Sequence, residues 1–277
     1  MIKQPDRLAY AAILGDALST VELVQFMGGD LSNVNAARQS YGKESEALTE
    51  KDQHLLRRLG PDLHTEPLCH TYVTLRISAP EFVCRQWYKH GVGCAFGFPD
   101  MPWSEFSLRF KSTQQDTFYV PRHMRVPHPT DKQATVIKEG NPSQKDLEML
   151  SLSAVESQDA IDTYRHLLAE GMPREMARIN LPLSVYTEWT WTASLMAVVH
   201  FVSLRDESHA QWEIQQYAKA VEALVKPIAP TSWQSLWEGH PMQLKRRVKQ
   251  QADIIAKLES ELFSWNNYVA EPPQETV

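Results

Sequence analysis

The sequence predicts a mixed α/β (α+β) domain with helical additions at its periphery. Residues 71–78 alternate apolar and polar side chains, which is typical of a half-buried strand, whereas residues 143–170 repeat apolar side chains at helical spacing. Hydrophobic residues make up 43% of the 277 residues and charged residues 22%, an ordinary globular composition. This composition excludes a disordered chain, a collagen-like fibre and a disulfide scaffold.

The net charge and the lack of long apolar runs indicate which classes of partner and which cellular compartment to expect. The 28 basic and 34 acidic residues give a formal charge of −6, which argues against a general nucleic-acid binder. No apolar run approaches the roughly 18–20 residues of a membrane helix, and the first residues lack the shape of a signal peptide. We therefore expect a cytoplasmic protein with no membrane partner. The cysteines Cys69, Cys84 and Cys94 form no CxxC pair and fit a reduced compartment.

Capping residues and a glycine indicate where the first helices begin and end. Residues 1–18 are expected to form a partly helical appendage. Asp30 is expected to cap a helix over residues 31–40, because its carboxylate can accept the free N–H groups of the first turn. Thr49 is expected to cap a second helix, which Gly60 ends.

The middle of the chain combines one strand with irregular segments. The alternation predicts a strand over residues 71–78, and Pro80 is expected to open a helix over residues 81–90. Glycines and prolines interrupt residues 91–104, whose aromatic side chains suggest a structured loop lying against the body of the protein. Residues 111–142 are expected to be irregular.

Helical patterns dominate the second half. We expect a long helix over residues 143–170, a short helix that begins around Pro173, and two further helices over residues 189–204 and 209–224. These elements divide the chain into an appendage at 1–18, one catalytic domain at 19–230 and a C-terminal helical extension at 231–277.

The extension contains an amphipathic helix over residues 244–265. One stripe is apolar, while the other face carries four cations, namely Lys245, Arg246, Arg247 and Lys249. The pattern favours a surface helix that packs on the body or on a partner subunit. A helix that binds nucleic acid or anionic lipid is the alternative.

Three clusters carry side chains suited to chemistry. His64, Glu66, Cys69 and His70 match no established zinc spacing, so no metal site is predicted. On the helix over residues 81–90, Arg85 and Lys89 are i, i+4 neighbours, as are Gln86 and His90. Such groups can hold a phosphate and the edge of a base. The third cluster contains Arg178 and Arg205, where a guanidinium can meet a planar acceptor edge with two N–H donors.

The same residues lie in stretches that resemble the flavin-dependent thymidylate synthase family, from about Val21 to Pro227. The matching stretches include VELVQFMGGDLSNVNAAR, GKESEALTEKD, APEFVCRQW, SEFSLRF, FYVP, PREMARINLPLSVYTEWTWT and LRDESHAQWEIQQYAKAV. The resemblance implies the family fold, a mixed sheet with a helical bundle, here followed by an extra C-terminal helix. It also implies a homotetramer with active sites at subunit interfaces. Such enzymes transfer a one-carbon unit from methylenetetrahydrofolate to C5 of dUMP, with FAD supplying the hydride.

The resemblance also implies roles for individual residues. Arg205 would stabilise uracil in its N3-deprotonated, enolate-like form, which activates C5, and Ser107 would be the second catalytic residue. The nucleotide-binding positions are Gln86, Lys89, Glu105, Ser107, Arg109, Arg178 and Arg205. The cofactor-binding positions are His64, Glu66, Lys89, His90, Ser194 and His200.

This chain departs from the family pattern mainly at the flavin positions. The family signature is Arg-His-Arg, seven residues and Ser; here it reads Lys89-His90-Gly91, and residues 92–106 precede Ser107. Glu66 and Cys69 replace the usual Ser or Thr and Glu, while Ser194 and Met196 replace Asn and Arg. Each lost charge-assisted contact would weaken the binding of an anionic dinucleotide by roughly 1.5–3 kcal/mol if buried.

Three functions therefore compete. The first is thymidylate synthesis with a rebuilt flavin pocket. The second is a related C5 reaction on dUMP or dCMP that yields a 5-hydroxymethyl or 5-hydroxy product with altered or absent flavin use. The third is a nucleotide-binding protein without catalysis, which the presence of Arg205 and Ser107 disfavours. Arg205 also favours uracil over cytosine, because N3 of cytosine carries no proton to lose.

Overall fold

The computed structural model describes residues 8–91, 103–107 and 117–270, with the backbone alone for residues 262–270. In these ranges the chain is an α+β protein, which confirms the predicted class. The strands are β1 (Leu8–Tyr10), β2 (Thr20–Met27), β3 (Tyr72–Pro80), β4 (Trp103–Glu105), β5 (Arg125–Pro127), β6 (Thr135–Ile137) and β7 (Tyr186–Ser194). The helices are α1 (Asp30–Arg38), α2 (Glu50–Leu59), α3 (Glu81–Trp87), α4 (Gln144–Ala169), α5 (Arg174–Ala177), α6 (Leu195–Arg205), α7 (Trp212–Val225), α8 (Pro230–Gly239) and α9 (Pro241–Ala270).

A five-stranded sheet in the order β1-β2-β3-β7-β4 organises the body. Each pairing in it is antiparallel, where the sequence led us to expect a mixed sheet. The central pair, β3 and β7, is in register from Tyr72 opposite Ser194 to Pro80 opposite Tyr186. Because side chains alternate along a strand, Leu75 and Trp191 share the face that is buried in the core.

The opposite face of the sheet is polar. The Thr74 and Thr192 hydroxyl oxygens lie 3.0 Å apart across the central pair, and the Gln25 side-chain amide donates to Thr74. Farther along the same face, Arg76 forms an ion pair with Glu22 at 3.1 Å. A sheet with one apolar and one polar face explains the clear alternation of residues 71–78.

The expected helix over residues 189–204 is wrong in its first third. Residues 186–194 form strand β7, and α6 begins only at Leu195. Trp189, Trp191 and Ala193 are buried while the intervening threonines are half-buried, which is the period of a strand. Aromatic and β-branched side chains pack well on the pleated surface of a sheet. Residues 186–194 therefore form a strand, although their apolar pattern continues without a break into α6.

Several other predicted elements are confirmed. Thr49 and Asp52 form a reciprocal capping box at the start of α2, and Gly60 is its C-cap. Ser143 caps α4, which ends one residue before the predicted limit. α3 ends earlier than expected, at Trp87. The short helix expected around Pro173 is α5, and Pro173 is its N-cap.

Two predictions near the periphery need correction. Within the described residues 8–18 there is no helix, because residues 8–10 form β1, which pairs with β2 at the sheet edge. The stretch expected to be irregular contains a small hairpin of β5 and β6. Tyr119 anchors this stretch, since its buried hydroxyl donates to Glu213 at 3.1 Å.

Asp30 caps a different helix from the one predicted. It is the first residue of α1 and makes no capping bond there. Its carboxylate instead accepts the N–H groups of Thr231 at 2.9 Å and Ser232 at 2.8 Å, in the first turn of α8. The helix-capping interaction predicted for Asp30 thus exists, but it links two helices about 200 residues apart in the chain. A pattern of neighbouring residues cannot predict such a pairing.

α8 packs tightly into the body. Trp233 and Leu236 belong to the buried core, and Gly60 meets Gly239 so closely that a Cβ on Gly239 would lie 2.3 Å from the Gly60 carbonyl oxygen. Only glycine allows this approach. The division of the chain at residues 18 and 230 stays a prediction. From these contacts we propose that the body includes β1 and α8, and that α9 alone is the extension.

Across residues 8–91, 103–107 and 117–270, no helix is both long enough and apolar enough to cross a membrane.

We expect Asp30→Ala to lower the free energy of unfolding by about 1–3 kcal/mol, because it leaves the N–H groups at the start of α8 without their buried acceptor. Urea unfolding followed by circular dichroism measures the loss. Asp159→Ala, at an exposed position on α4, is the matched control and should change stability by less than about 0.5 kcal/mol. Equal effects at the two positions would contradict the capping role.

Candidate active site

Arg205 is the last residue of α6, a helix that is apolar on nearly all sides. Leu195, Val198, Phe201 and Val202 are fully buried along it. This burial fixes the helix in the core and brings its C-terminal end, with Arg205, to a half-buried position. The negative end of the helix dipole favours a cation there.

His90 holds the guanidinium of Arg205. Arg205 Nε donates to His90 Nε2 at 2.8 Å, and one Nη2 hydrogen reaches the Gln86 carbonyl oxygen at 3.3 Å. Because a guanidinium only donates hydrogen bonds, His90 Nε2 is an acceptor and the proton of the neutral ring lies on Nδ1. Burial, the Arg205 charge and His200 lower the pKa of His90 to about 3. His90 is therefore neutral at physiological pH.

An aromatic cluster sets the distance between α3, β7 and α6. Trp87 stacks on Phe201 at 4.1 Å and meets Trp189 and Trp191 edge-on at 5.4 and 5.6 Å. His90 packs edge-on against the same Phe201 at 5.1 Å. The core contacts thus determine where the imidazole lies relative to α6 and Arg205.

Two further histidines, His200 and His240, lie in contact on the wall of an apolar cavity of about 450 Å³. His200 Nδ1 and His240 Nε2 are 2.9 Å apart, and the Met242 N–H donates to His240 Nδ1 at 3.2 Å. Because His240 Nδ1 is an acceptor, its Nε2 carries the proton and donates to His200. Burial lowers the pKa of His200, and burial together with His200 lowers that of His240 to about 4. Both rings are neutral at physiological pH.

The cavity is formed by four parts of the chain. Its lining residues are Gly60, Leu63, Thr65, Met196, Ala197, Val199, His200, Leu204, Leu236, Gly239, His240, Pro241 and Met242. They come from the turn after α2, from α6, from α8 and from the first turn of α9. The ring centroids of His200 and His90 are 6.1 Å apart, so the cavity adjoins the Arg205 site.

A second, polar cavity of about 320 Å³ contains Arg85 and Arg178 together with Glu81. Arg178 is exposed on a single 3-10 turn, and Arg85 is exposed on α3. Burial and the neighbouring Glu105 raise the pKa of Glu81. The two planar guanidinium groups can each donate a pair of hydrogen bonds to a phosphate, and the raised pKa of Glu81 makes its carboxylate easier to protonate beside that anion.

Glu105 connects this polar cavity to the sheet. Its carboxylate accepts hydrogen bonds from Thr187 at 3.1 Å and from the Trp103 indole at 3.2 Å. One ligand atom each from Glu81, Cys84 and Glu105 lies within 4.8 Å of the others. Burial, Glu105 and Glu81 raise the pKa of the Cys84 thiol, which keeps it protonated and a poor metal ligand.

The other described residues predicted to bind the nucleotide line neither cavity. The Gln86 side chain donates to Gln211 at 2.6 Å, and Lys89 is exposed just after α3. Ser107 is half-buried two residues after β4. Arg109, the inserted residues 92–102 and Cys94 lie outside the described residues.

The predicted cofactor positions divide into two groups. His200 lines the cavity and the ring of His90 lies 6.1 Å from that of His200, whereas His64 and Glu66 are exposed on the turn between α2 and β3. Ser194 is buried, and its hydroxyl caps α6 by accepting the Ala197 N–H at 3.2 Å. The polar group that Ser194 retains is therefore already used inside the protein.

Sequence reasoning missed His240, Pro241 and Met242. They lie beyond the stretch that carried the resemblance, and a single histidine between two helices gives no pattern. It also left Glu81 out of the site, and it grouped Arg85 with Lys89 as a possible phosphate contact without placing Arg85 among the nucleotide-binding positions. Only the packing of α8 against α2 and α6 reveals the first group.

Comparison with known proteins gives the family. The family model described as "Thymidylate synthase complementing protein" matches residues 22–231. A flavin-dependent thymidylate synthase of Thermosipho melanesiensis is 39% identical over 216 residues, 78% of this chain and 89% of that protein. One of Thermus thermophilus is 38% identical over 223 residues, 80% and 77% of the two chains. This chain belongs to the flavin-dependent thymidylate synthase family.

A solved structure supports the fold. The UMP/dUMP methylase PolB of Streptomyces cacaoi, bound with 5-Br dUMP, superposes with a TM-score of 0.66 at 28% identity. The match covers 78% of this chain and 94% of PolB.

Lowering the pH from 7 to 5 is expected to destabilise the folded chain through His90. An unfolded imidazole takes up a proton near pH 6.5, whereas the folded pKa of about 3 keeps the ring neutral. The unfolded state then binds more protons, so the free energy of unfolding falls by about 2 kcal/mol over this interval. Urea midpoints at several pH values measure the fall.

His90→Gln should make this pH dependence shallower, because it removes the titrating group and keeps an acceptor. His54→Gln, at an exposed position on α2, should leave it unchanged. An unaltered slope in His90→Gln would show that His90 is not held neutral.

Proposed function

We propose that this chain transfers a one-carbon unit to C5 of dUMP, with methylenetetrahydrofolate as carbon donor and FAD as hydride carrier. The observation that carries the proposal is the geometry of Arg205. Its cation is held half-buried by a neutral histidine and a carbonyl oxygen, at the position that the family resemblance assigns to the uracil base. The family membership and the 5-Br dUMP bound to PolB support the substrate class.

Arg205 keeps one edge of its guanidinium for a ligand. Nε and one Nη2 hydrogen are used inside the protein, and Nη1 has no hydrogen-bond partner among the described residues. The Nη1/Nη2 edge can therefore donate two parallel hydrogen bonds to N3 and O4 of uracil. A positive fork at this position stabilises the N3-deprotonated base, which raises electron density at C5 and makes it the nucleophile.

The polar cavity is the proposed site of the nucleotide phosphate. We assign Arg178 to the nucleotide phosphate, with Arg85 as a second cation, and Arg109 stays in the prediction. Gln86, Lys89, Glu105 and Ser107 complete the proposed nucleotide set. Arg205, with Ser107, remains the proposed catalytic group.

The apolar cavity fits the ring system of a flavin. Its 450 Å³ lies within the range of ligand pockets, and its lining combines aliphatic side chains with the neutral imidazoles of His200 and His240. We propose that His90 and His200 lie beside the ring, with Lys89, His64, Glu66 and Ser194 as the remaining predicted contacts. FAD, when bound, supplies the hydride that reduces the transferred carbon to a methyl group. The apolar walls exclude water that would otherwise react with that carbon.

We also propose a homotetramer and a cytoplasmic location. Exposed apolar side chains support an assembly: Met27 at the sheet edge is 60% exposed, and Leu152 and Val155 on α4 are 59% and 50% exposed. Faces of this kind are characteristic of protein–protein contacts.

Formation of a 5-hydroxymethyl nucleotide is the second candidate. Met196 offers no charge to an anionic cofactor, and the Ser194 hydroxyl is already used as a helix cap. Quenching the transferred carbon with water needs no hydride and tolerates weaker flavin binding.

Arg205→Ala is expected to lower kcat by about 10²–10³-fold, because the charge that stabilises the deprotonated base is lost. Arg205→Lys keeps the charge but not the fork and should recover only part of the rate. Steady-state kinetics with dUMP, methylenetetrahydrofolate and reduced flavin measure both. Arg57→Ala on the exposed face of α2 is the control, and full activity of Arg205→Ala would refute the assignment.

Purified protein mixed with FAD should show a flavin spectrum that shifts when dUMP is added, because the base and the ring lie in adjoining cavities. Mass spectrometry of the nucleotide product then separates the two candidates, which differ by one oxygen atom. Product dTMP with bound flavin supports thymidylate synthesis. A 5-hydroxymethyl product without bound flavin favours the second candidate, and no retained flavin with no product leaves only nucleotide binding.

A further inference from the structure

Helix α9 leaves the body with an uncovered apolar stripe. After Gln243, which is buried, the side chains as far as residue 261 are exposed apart from half-buried Arg246. Along the helix, the apolar residues Leu244, Val248, Ile254, Ile255 and Leu258 are 44% to 66% exposed. α9 lies beyond residue 231, where the family match ends, and among its described side chains only Pro241 and Met242, in the first turn, line the apolar cavity.

The spacing of the stripe is that of a coiled coil. Positions 244, 248, 251, 255 and 258 alternate steps of four and three residues, and the sequence continues the alternation at Leu262 and Trp265. All of these are apolar except Gln251. A seam of this spacing packs side chains into the holes of a second helix.

The charges along α9 are divided by sign. Residues 241–252 hold four basic residues and no acidic one, whereas residues 253–270 hold three acidic residues and one basic residue. An anionic lipid surface would attract the first half and repel the second. Two copies of the helix in opposite directions would instead bring each basic half against an acidic half.

We propose that α9 pairs antiparallel with α9 of a second copy of this chain. Centring the pair on residue 253 places Val248 opposite Leu258 and Gln251 opposite Ile255 of the other copy. In the same register, Lys245 faces Glu259 and Arg247 faces Glu261 at the flanks of the seam. A parallel pair would place the basic halves together, which the charge pattern disfavours.

The length of the helix permits this arrangement. Residues 244–262 span about 27 Å at 1.5 Å per residue. The body is attached at the start of α9, so the two bodies lie at opposite ends of the antiparallel pair. Arg246 takes no part in the seam, since it forms an ion pair with Glu207 of the body. Arg247 lies 4.0 Å from Glu238 of α8, a long and exposed ion pair that it would exchange for Glu261 of the other copy.

Disulfide trapping tests the direction and the register in the full chain. Gln251→Cys and Ile255→Cys chains, co-expressed and oxidised, should form a crosslinked dimer on non-reducing gels. Lys249→Cys with Lys257→Cys has the same position along the axis but lies on the outer face, so it should crosslink several-fold less. All four positions are exposed, and none lines the two cavities.

Charge reversal tests the pairing independently. Placing Lys245→Glu and Arg247→Glu in both cysteine chains makes all four flanking positions, 245, 247, 259 and 261, acidic and should strongly reduce the crosslink. Combining this reversed Gln251→Cys chain with an Ile255→Cys chain that carries Glu259→Lys and Glu261→Lys should restore it, because each acidic helix then meets a basic one.

Each outcome supports or overturns the proposal. Crosslinking of 251 with 255 above the control, together with rescue by the complementary charges, supports the antiparallel pair. Crosslinking of Gln251→Cys with itself indicates a parallel pair and overturns it, and so does a yield no higher than that of the outer-face control. Nucleotide turnover per chain should not change in the charge variants, so failure of the proposed function would be seen separately.

Discussion

The half-buried guanidinium of Arg205 requires an acceptor that carries no charge of its own. A carboxylate at this position would neutralise the cation and remove its effect on a bound base. His90 satisfies one N–H and leaves the charge available, because burial and Arg205 itself keep the imidazole unprotonated. Arg205 and His90 therefore stabilise each other in the state that the proposed chemistry needs.

That contact depends on the aromatic core. Trp87 links α3 to Phe201 of α6 and to Trp189 and Trp191 of β7. Interiors packed at this density respond to the loss of even one methylene group, so the spacing between His90 and Arg205 is set by large rigid side chains. The site is thus precise because its supporting residues are apolar and immobile, not because its polar residues are numerous.

The C-terminal segment forms one wall of the apolar cavity. Ser194 and Met196 offer no free polar group where the family pattern has Asn and Arg, while His240, at the junction of α8 and α9, lines the cavity beside His200. Pro241 and Met242 extend the same wall into the first turn of α9.

Local patterns predicted much of the fold and part of the site. The capping box of Thr49, the strand at residues 71–78 and the long helix begun by Ser143 follow from interactions within a few residues, so the sequence is sufficient for them. Residues 189–194 were misread because the strand and α6 form one apolar run. The roles of the predicted site residues remain proposals.

The amino-acid sequence by itself determined the α+β class, the family resemblance and the residue types at the proposed nucleotide site, because these depend on side-chain identity and local spacing. Only the tertiary structure decided that Asp30 caps α8, that His90 accepts from Arg205 and that His240 meets His200. These contacts join residues 40 to 202 positions apart, and their partners are chosen by the packing of the core. The periodicity of neighbouring residues cannot predict contacts between residues so far apart in the chain.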